Sequence, residues 1–104
     1  MTIYESTGSV LDDLFEPDEA AELKVKAALA RRIRLVMEAR TMSQKQVAEL
    51  TGMRQPDVSK IVNYRFAEIA IERLFRTLTR LGVDVQIALP DHPDGGTGNV
   101  EVVA

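Results

Sequence analysis

Residues Ser43–Asn63 read SQKQVAELTGMRQPDVSKIVN. The spacing predicts two short helices joined by a tight turn. Ser43 and Gln46 form a capping-box pattern: the hydroxyl accepts from the backbone amide three residues on, and the glutamine side chain returns the bond. Val47, Ala48 and Leu50 give the first helix a short apolar face. Gly52 falls at its stop, where a residue with positive φ commonly ends a helix. The second helix opens around Arg54–Pro56, because proline is tolerated in a first turn, where its missing N–H would have had no intrahelical acceptor. Pro56 also biases Gln55 away from helical geometry, which suits a residue at or beside the cap.

On the second helix, Val58, Ile61 and Val62 share one arc of roughly 100°. Pro56, Ser59, Lys60 and Asn63 lie opposite and face outward. An outer face of amide, hydroxyl and amine groups above a small apolar anchor suits the reading of base edges. The same pattern also serves an ordinary helical hairpin whose polar face meets only water.

The pattern S-Q-x-x-V-A-x-x-x-G-M-x-Q-x-x-V-S-x-I resembles the helix-turn-helix of the Xre/Cro-like family. The likeness runs from about Leu29 to Leu89. Its flanks, ALARRIRLVMEAR before the motif and IERLFRTLTRLGVDVQIAL after it, are similar to HigA-type antitoxins and small regulators. The resemblance implies a mainly α fold, a λ-repressor-like helix-turn-helix bundle of four to five helices. It implies a dimeric, sequence-specific DNA-binding repressor that reads the major groove with helix 55–63. The alternative is the antitoxin of a type II pair, which neutralises a ribonuclease toxin and represses its own operon. Arg54 departs from the family, which commonly has Ser or Thr as the cap; the change weakens the cap and adds a positive group.

Base chemistry then assigns candidate roles. Gln55 suits an adenine edge, Lys60 guanine O6/N7 and Pro56 a thymine methyl. Arg54 suits a base or a phosphate. Asp57 has two readings: it accepts from cytosine N4, or it orients Arg54 or Lys60. Ser43 and Gln44 open the first helix, where side chains and backbone amides commonly hold phosphate. Ser59, Asn63, Tyr64 and Arg65 complete the candidate phosphate contacts.

The charge distribution agrees with a nucleic-acid partner although the net charge is −3. Residues 1–22 hold seven acids and no base, whereas residues 23–80 hold all thirteen Lys and Arg against five acids. Residues 81–104 add four acids and no base. A basic middle between acidic ends is the asymmetry expected of a DNA-reading core with appended arms. At 104 residues and 45% hydrophobic the chain suffices for one small domain. It has no cysteine, so disulfides and thiolate metal sites are not available. No apolar run approaches the roughly 20 residues of a membrane span, and no basic-then-apolar leader is present. The expectation is a cytoplasmic protein that needs no cofactor and no metal and has no membrane partner.

Three segments follow. Residues 1–17 form an acidic N-terminal arm, in which Val10, Leu11, Leu14 and Phe15 stand at helical spacing among Asp12, Asp13 and Glu16. They either pack back on the protein's own helices or dock on a basic partner, such as a toxin. Residues 18–82 form the DNA-binding domain. Its longest helix runs from about Asp18 to Arg40, with Leu29, Ile33, Val36 and Met37 as the stripe that packs on the motif. Its last runs from about Ala70 to Leu81, with Ile71, Leu74, Phe75, Leu78 and Leu81 buried and Gly82 as the stop. In residues 83–104 the period changes to two: Val83, Val85, Ile87 and Leu89 predict a strand, and Asn99–Val103 a second, as a C-terminal β-hairpin. A lone hairpin is marginal in water. Pairing across a two-fold axis would complete it, so Val83, Val85, Ile87 and Leu89 are the expected dimer interface.

An enzyme is the contrary reading, and the residues argue against it. His92 is the only histidine and lies in a Pro/Gly loop. Adjacent acids such as Asp12 and Asp13 point different ways on a helix, and there is neither a phosphate-cradling glycine loop nor metal-ligand spacing.

Overall fold

A computed structural model describes residues 17–103. Four α-helices follow in order: α1 (Pro17–Ala39), α2 (Gln44–Thr51), α3 (Gln55–Val62) and α4 (Ile71–Arg80), with a 3-10 turn at Phe66–Glu68 before α4. The acidic segment of residues 1–16 lies outside the described residues.

Helix α1 is the frame. Leu29, Ile33, Val36 and Met37 are all buried, as their spacing predicts, and Ala20, Val25 and Ala30 widen the stripe. It packs chiefly on α4, then on α3 and the 3-10 turn. The core they enclose holds Val47 and Met53 from the first half of the motif, Val58 and Ile61 from α3, and Ile69, Leu74, Leu78 and Leu81 from the end of the bundle. Each large aliphatic side chain removed from water contributes about 1.5–3 kcal/mol before chain entropy is counted.

Long polar side chains fasten α1 to distant backbone. Lys26 is buried, and its ammonium donates to the Ala67 carbonyl at 3.0 Å and stands 3.5 Å from the Glu22 carboxylate. Arg40 donates to the Leu81 carbonyl at 2.6 Å. Among the described residues no buried side-chain nitrogen or oxygen lacks a hydrogen-bond partner.

The C-terminal β-hairpin is not formed: no strand occurs among the described residues, and the fold is all-helical. Val83 donates its backbone amide to Leu78 and so closes α4 rather than opening a ladder. Val83, Val85 and Val102 pack, half-buried, against the helical core. The alternation of Val83–Leu89 therefore reflects an extended chain laid on helices, with Val83 and Val85 turned in. Ile87 and Leu89 stay outside, 70% and 88% exposed. Alternation specifies which side chains face a surface, but a strand also needs a neighbouring backbone to bond, and the described residues give this segment none.

Candidate nucleic-acid interface

The two motif helices form as their sequence predicts. The Ser43 hydroxyl accepts from the Gln46 amide at 3.1 Å, and the Gln46 side chain accepts from the Ser43 amide at 2.8 Å. This reciprocal cap leaves the amides of Gln44 and Lys45 without an intrahelical acceptor, directed out of the first turn of α2. Helix α2 ends at Gly52, with φ +75° and an amide bonded to the Ala48 carbonyl. A Cβ at Gly52 would stand 3.0 Å from Nη1 of Arg80. Leu50 departs from the expected apolar face and is 54% exposed; Val47 alone of the three is fully buried, and Ala48 is half-buried.

Helix α3 starts after Arg54, whose backbone is extended and whose side chain makes no cap bond to the helix amides. The guanidinium turns instead to Asp57, Nε to Oδ2 at 3.3 Å. Arg54, Gln55 and Pro56 are exposed, Ser59 and Lys60 half-buried and Asn63 exposed, so the outward face of α3 is continuous. The Asn63 side-chain amide donates back to the Ser59 carbonyl at 2.9 Å and to its hydroxyl at 3.1 Å, which ties off the last turn.

Asp57 sits apart from that face, with 2% of its surface exposed. Its carboxylate is the hub of the site. Besides Arg54, it accepts from Arg73 of α4 at 2.9 Å and stands 3.7 Å from the Lys60 ammonium. These contacts to Arg54 and Lys60 are the ones its orienting reading calls for. Burial pushes the Asp57 carboxyl up, but the hydrogen bonds and charges of Arg54 and Arg73 outweigh burial and hold it below the usual carboxylate range. Lys60 is shared with Glu68, at 3.8 Å, so its ammonium is restrained from two sides.

The turn after α3 carries the remaining candidates. Tyr64 has φ +64°, and its ring is exposed. The guanidinium of Arg34, from α1, lies 4.1 Å from the ring centroid and donates to the Ile61 carbonyl at 3.1 Å. One α1 side chain thus holds both the end of α3 and the turn beyond it, by a carbonyl bond and a cation–π contact. Arg65 is exposed and pairs with Glu68 at 3.5 Å.

Sequence reasoning missed Arg34 and Arg73, because each acts through a partner far along the chain. The inward position of Asp57 was available from the helical wheel: four residues of α-helix place it about 40° from Ile61, on the buried side. Of the expected dimer residues, Val83 and Val85 are committed to the monomer's own core, and Ile87 and Leu89 remain on the surface. Among the described residues no group of three or more His, Asp or Glu is placed to hold a metal ion, and no helix is long and apolar enough to cross a membrane.

This arrangement pairs a capped helix with free amides at its start and a second helix anchored from behind, whose outer face bears cationic, amide and hydroxyl groups. Residues 10–89 match the family model of a helix-turn-helix domain. No curated protein matches the chain. A solved structure named for the XRE family of transcriptional regulators superposes with a TM-score of 0.76 at 34% identity, over 85% of this chain and 99% of that one. The chain belongs to the Xre-like helix-turn-helix family of DNA-binding transcriptional regulators.

Proposed function

We propose that the protein is a sequence-specific repressor that binds duplex DNA as a homodimer, with α3 in the major groove. The observation that carries this reading is the division of α3 into two faces. Asp57, Val58 and Ile61 are buried and anchor the helix, while Arg54, Gln55, Pro56 and Lys60 are left on the other side with groups that match base edges. Gln55 pairs with an adenine edge, Lys60 with guanine and Pro56 with a thymine methyl. Ser43 and Gln44 hold phosphate through the open first turn of α2, and Ser59, Asn63, Tyr64 and Arg65 approach the backbone at the other end of α3. The proposal assigns the protein no catalytic step, no cofactor and no metal.

One recognition helix covers only a few base pairs, and two copies reading half-sites about 34 Å apart would cover an operator. Of the four residues expected to join two copies, Ile87 and Leu89 are left outside; Leu50, Val100 and Val103 are exposed as well. The test is electrophoretic mobility shift on DNA from the protein's own promoter. A discrete complex that survives excess mixed-sequence competitor is expected. Equal competition by mixed-sequence DNA would overturn sequence specificity.

A second reading, an antitoxin role, is compatible with the first. Its support is the seven acids without a base in residues 1–22, interleaved with Val10, Leu11, Leu14 and Phe15, which suit a basic protein surface. Deleting residues 1–16 should then leave DNA binding intact and abolish binding to the product of an adjacent gene. A truncated protein whose melting temperature collapses would instead make the segment part of the core.

A further inference from the structure

Helix α4 carries Arg73, Arg76 and Arg80. At i, i+3 and i+7 they share one arc of roughly 60°. With Thr77 they face the turn between the motif helices, Thr51, Gly52 and Met53, across a shallow open cleft of about 50 Å³. Three guanidinium-bearing residues line it, and no carboxylate does.

Two of the three are fixed by protein acceptors. Arg73 donates to Asp57 in the first turn of α3, and Arg80 donates to the Thr51 carbonyl at the end of α2. A guanidinium has five N–H donors, so one such bond orients the group and leaves most of its donors unspent. The Arg80 bond also answers the negative end of α2, which would otherwise repel an anion here. Arg76 is exposed, and its guanidinium makes no hydrogen bond or ion pair among the described residues. The cluster continues the cationic edge of the recognition helix, because Asp57 holds Arg54 and Arg73 together.

We infer that this cleft seats a backbone phosphate of the DNA, with Arg76 as its main ligand and Arg73 and Arg80 as pre-oriented supports. Planar guanidinium forks match phosphate oxygens in paired hydrogen bonds. The cleft stands at the C-terminal end of α2, whereas Ser43 and Gln44 stand at its N-terminal end, about 12 Å away along the helix axis. The motif would therefore grip the backbone at both ends of α2. This inference rests on the reading that α3 enters the major groove.

The experiment is a salt titration of binding to a mixed-sequence duplex and to the protein's own promoter DNA, for wild type, Arg76→Ala and Arg76→Lys. The Arg76 guanidinium is exposed and unpaired among the described residues, so the helical circular dichroism of both variants should equal that of the wild type. Arg76→Ala should weaken both DNAs equally and lower the slope of log K against log salt by about 1, and Arg76→Lys should restore most of that slope. An unchanged slope for Arg76→Ala overturns the cleft contact while leaving the DNA reading intact. So does weakening confined to the promoter, which would make Arg76 a base reader. Saturable binding of inorganic pyrophosphate at Arg76, with the DNA slope unaffected, would make the cleft a small-anion site and also overturn the inference. A wild type that binds no duplex at low salt fails the functional reading and this contact with it.

Discussion

Asp57 is the residue on which the most charge depends. It is buried with Arg54, Arg73 and Lys60 around it, so its removal strands cations on two helices. Asp57→Asn keeps the shape and should cost about 1–3 kcal/mol at neutral pH, read from urea midpoints. Because the folded carboxyl lies below its ordinary value, its contribution is complete above the unfolded value of about 3.9. It is lost as pH falls from there through the folded value. The gap between wild type and Asp57→Asn should accordingly be constant near neutrality and shrink progressively as pH falls below about 4. An identical gap in strong acid would mean that the carboxylate's charge contributes nothing. Lys60 tests the reading face directly. Lys60→Ala should fold normally and lose roughly 1–3 kcal/mol of promoter affinity with little change on mixed-sequence DNA. Equal weakening on both would make Lys60 a phosphate ligand.

At the scale of elements, the two motif helices depend on their ends. Ser43→Ala removes half of a reciprocal cap and should cost about 1 kcal/mol of thermal stability. Gly52→Ala places a Cβ on a left-handed residue and 3.0 Å from Arg80, so about 1–2 kcal/mol is expected, with the Arg80–Thr51 bond disturbed as well. Unchanged melting of Gly52→Ala would show that the turn relaxes freely. These ends were legible in the sequence because caps are local: Ser43 and Gln46 are three residues apart, and Gly52 acts on its own backbone. The stripe of α1 was legible for the same reason, since helical period is a property of the stretch itself. The C-terminal segment was not. Val83, Val85, Ile87 and Leu89 alternate as a strand does, but the decisive fact is that no backbone among the described residues bonds to them as a ladder, and no residue of the stretch encodes that. Arg73 was hidden likewise: its partner Asp57 is sixteen residues earlier and on another helix.

At the scale of the molecule, the most exposed large aliphatic residues are Ile87 and Leu89 of the C-terminal segment. Ile87→Asp changes a residue that the fold leaves exposed, so helical circular dichroism should not move. If Ile87 joins two copies, the variant should sediment as a monomer and bind a two-half-site operator much more weakly. A wild type that sediments as a monomer at micromolar concentration would sink the dimer, and an Ile87→Asp protein that stays dimeric would exonerate this residue.

The fastening of α1 also has a consequence for the order of events during synthesis. The helix leaves the ribosome ahead of the elements that cover it. Its buried stripe is covered chiefly by α4, and both Lys26 and Arg40 find their carbonyls 41 residues downstream. A nascent chain that has emerged only as far as Asn63 already contains the whole of the motif. It lacks the helix that buries α1 and the Arg73 that steadies Asp57. Native order should therefore arrive late and in one step, when Leu81 clears the exit tunnel, rather than helix by helix. Arrested chains of increasing length, probed by limited proteolysis, should remain susceptible until that point and turn resistant just beyond it.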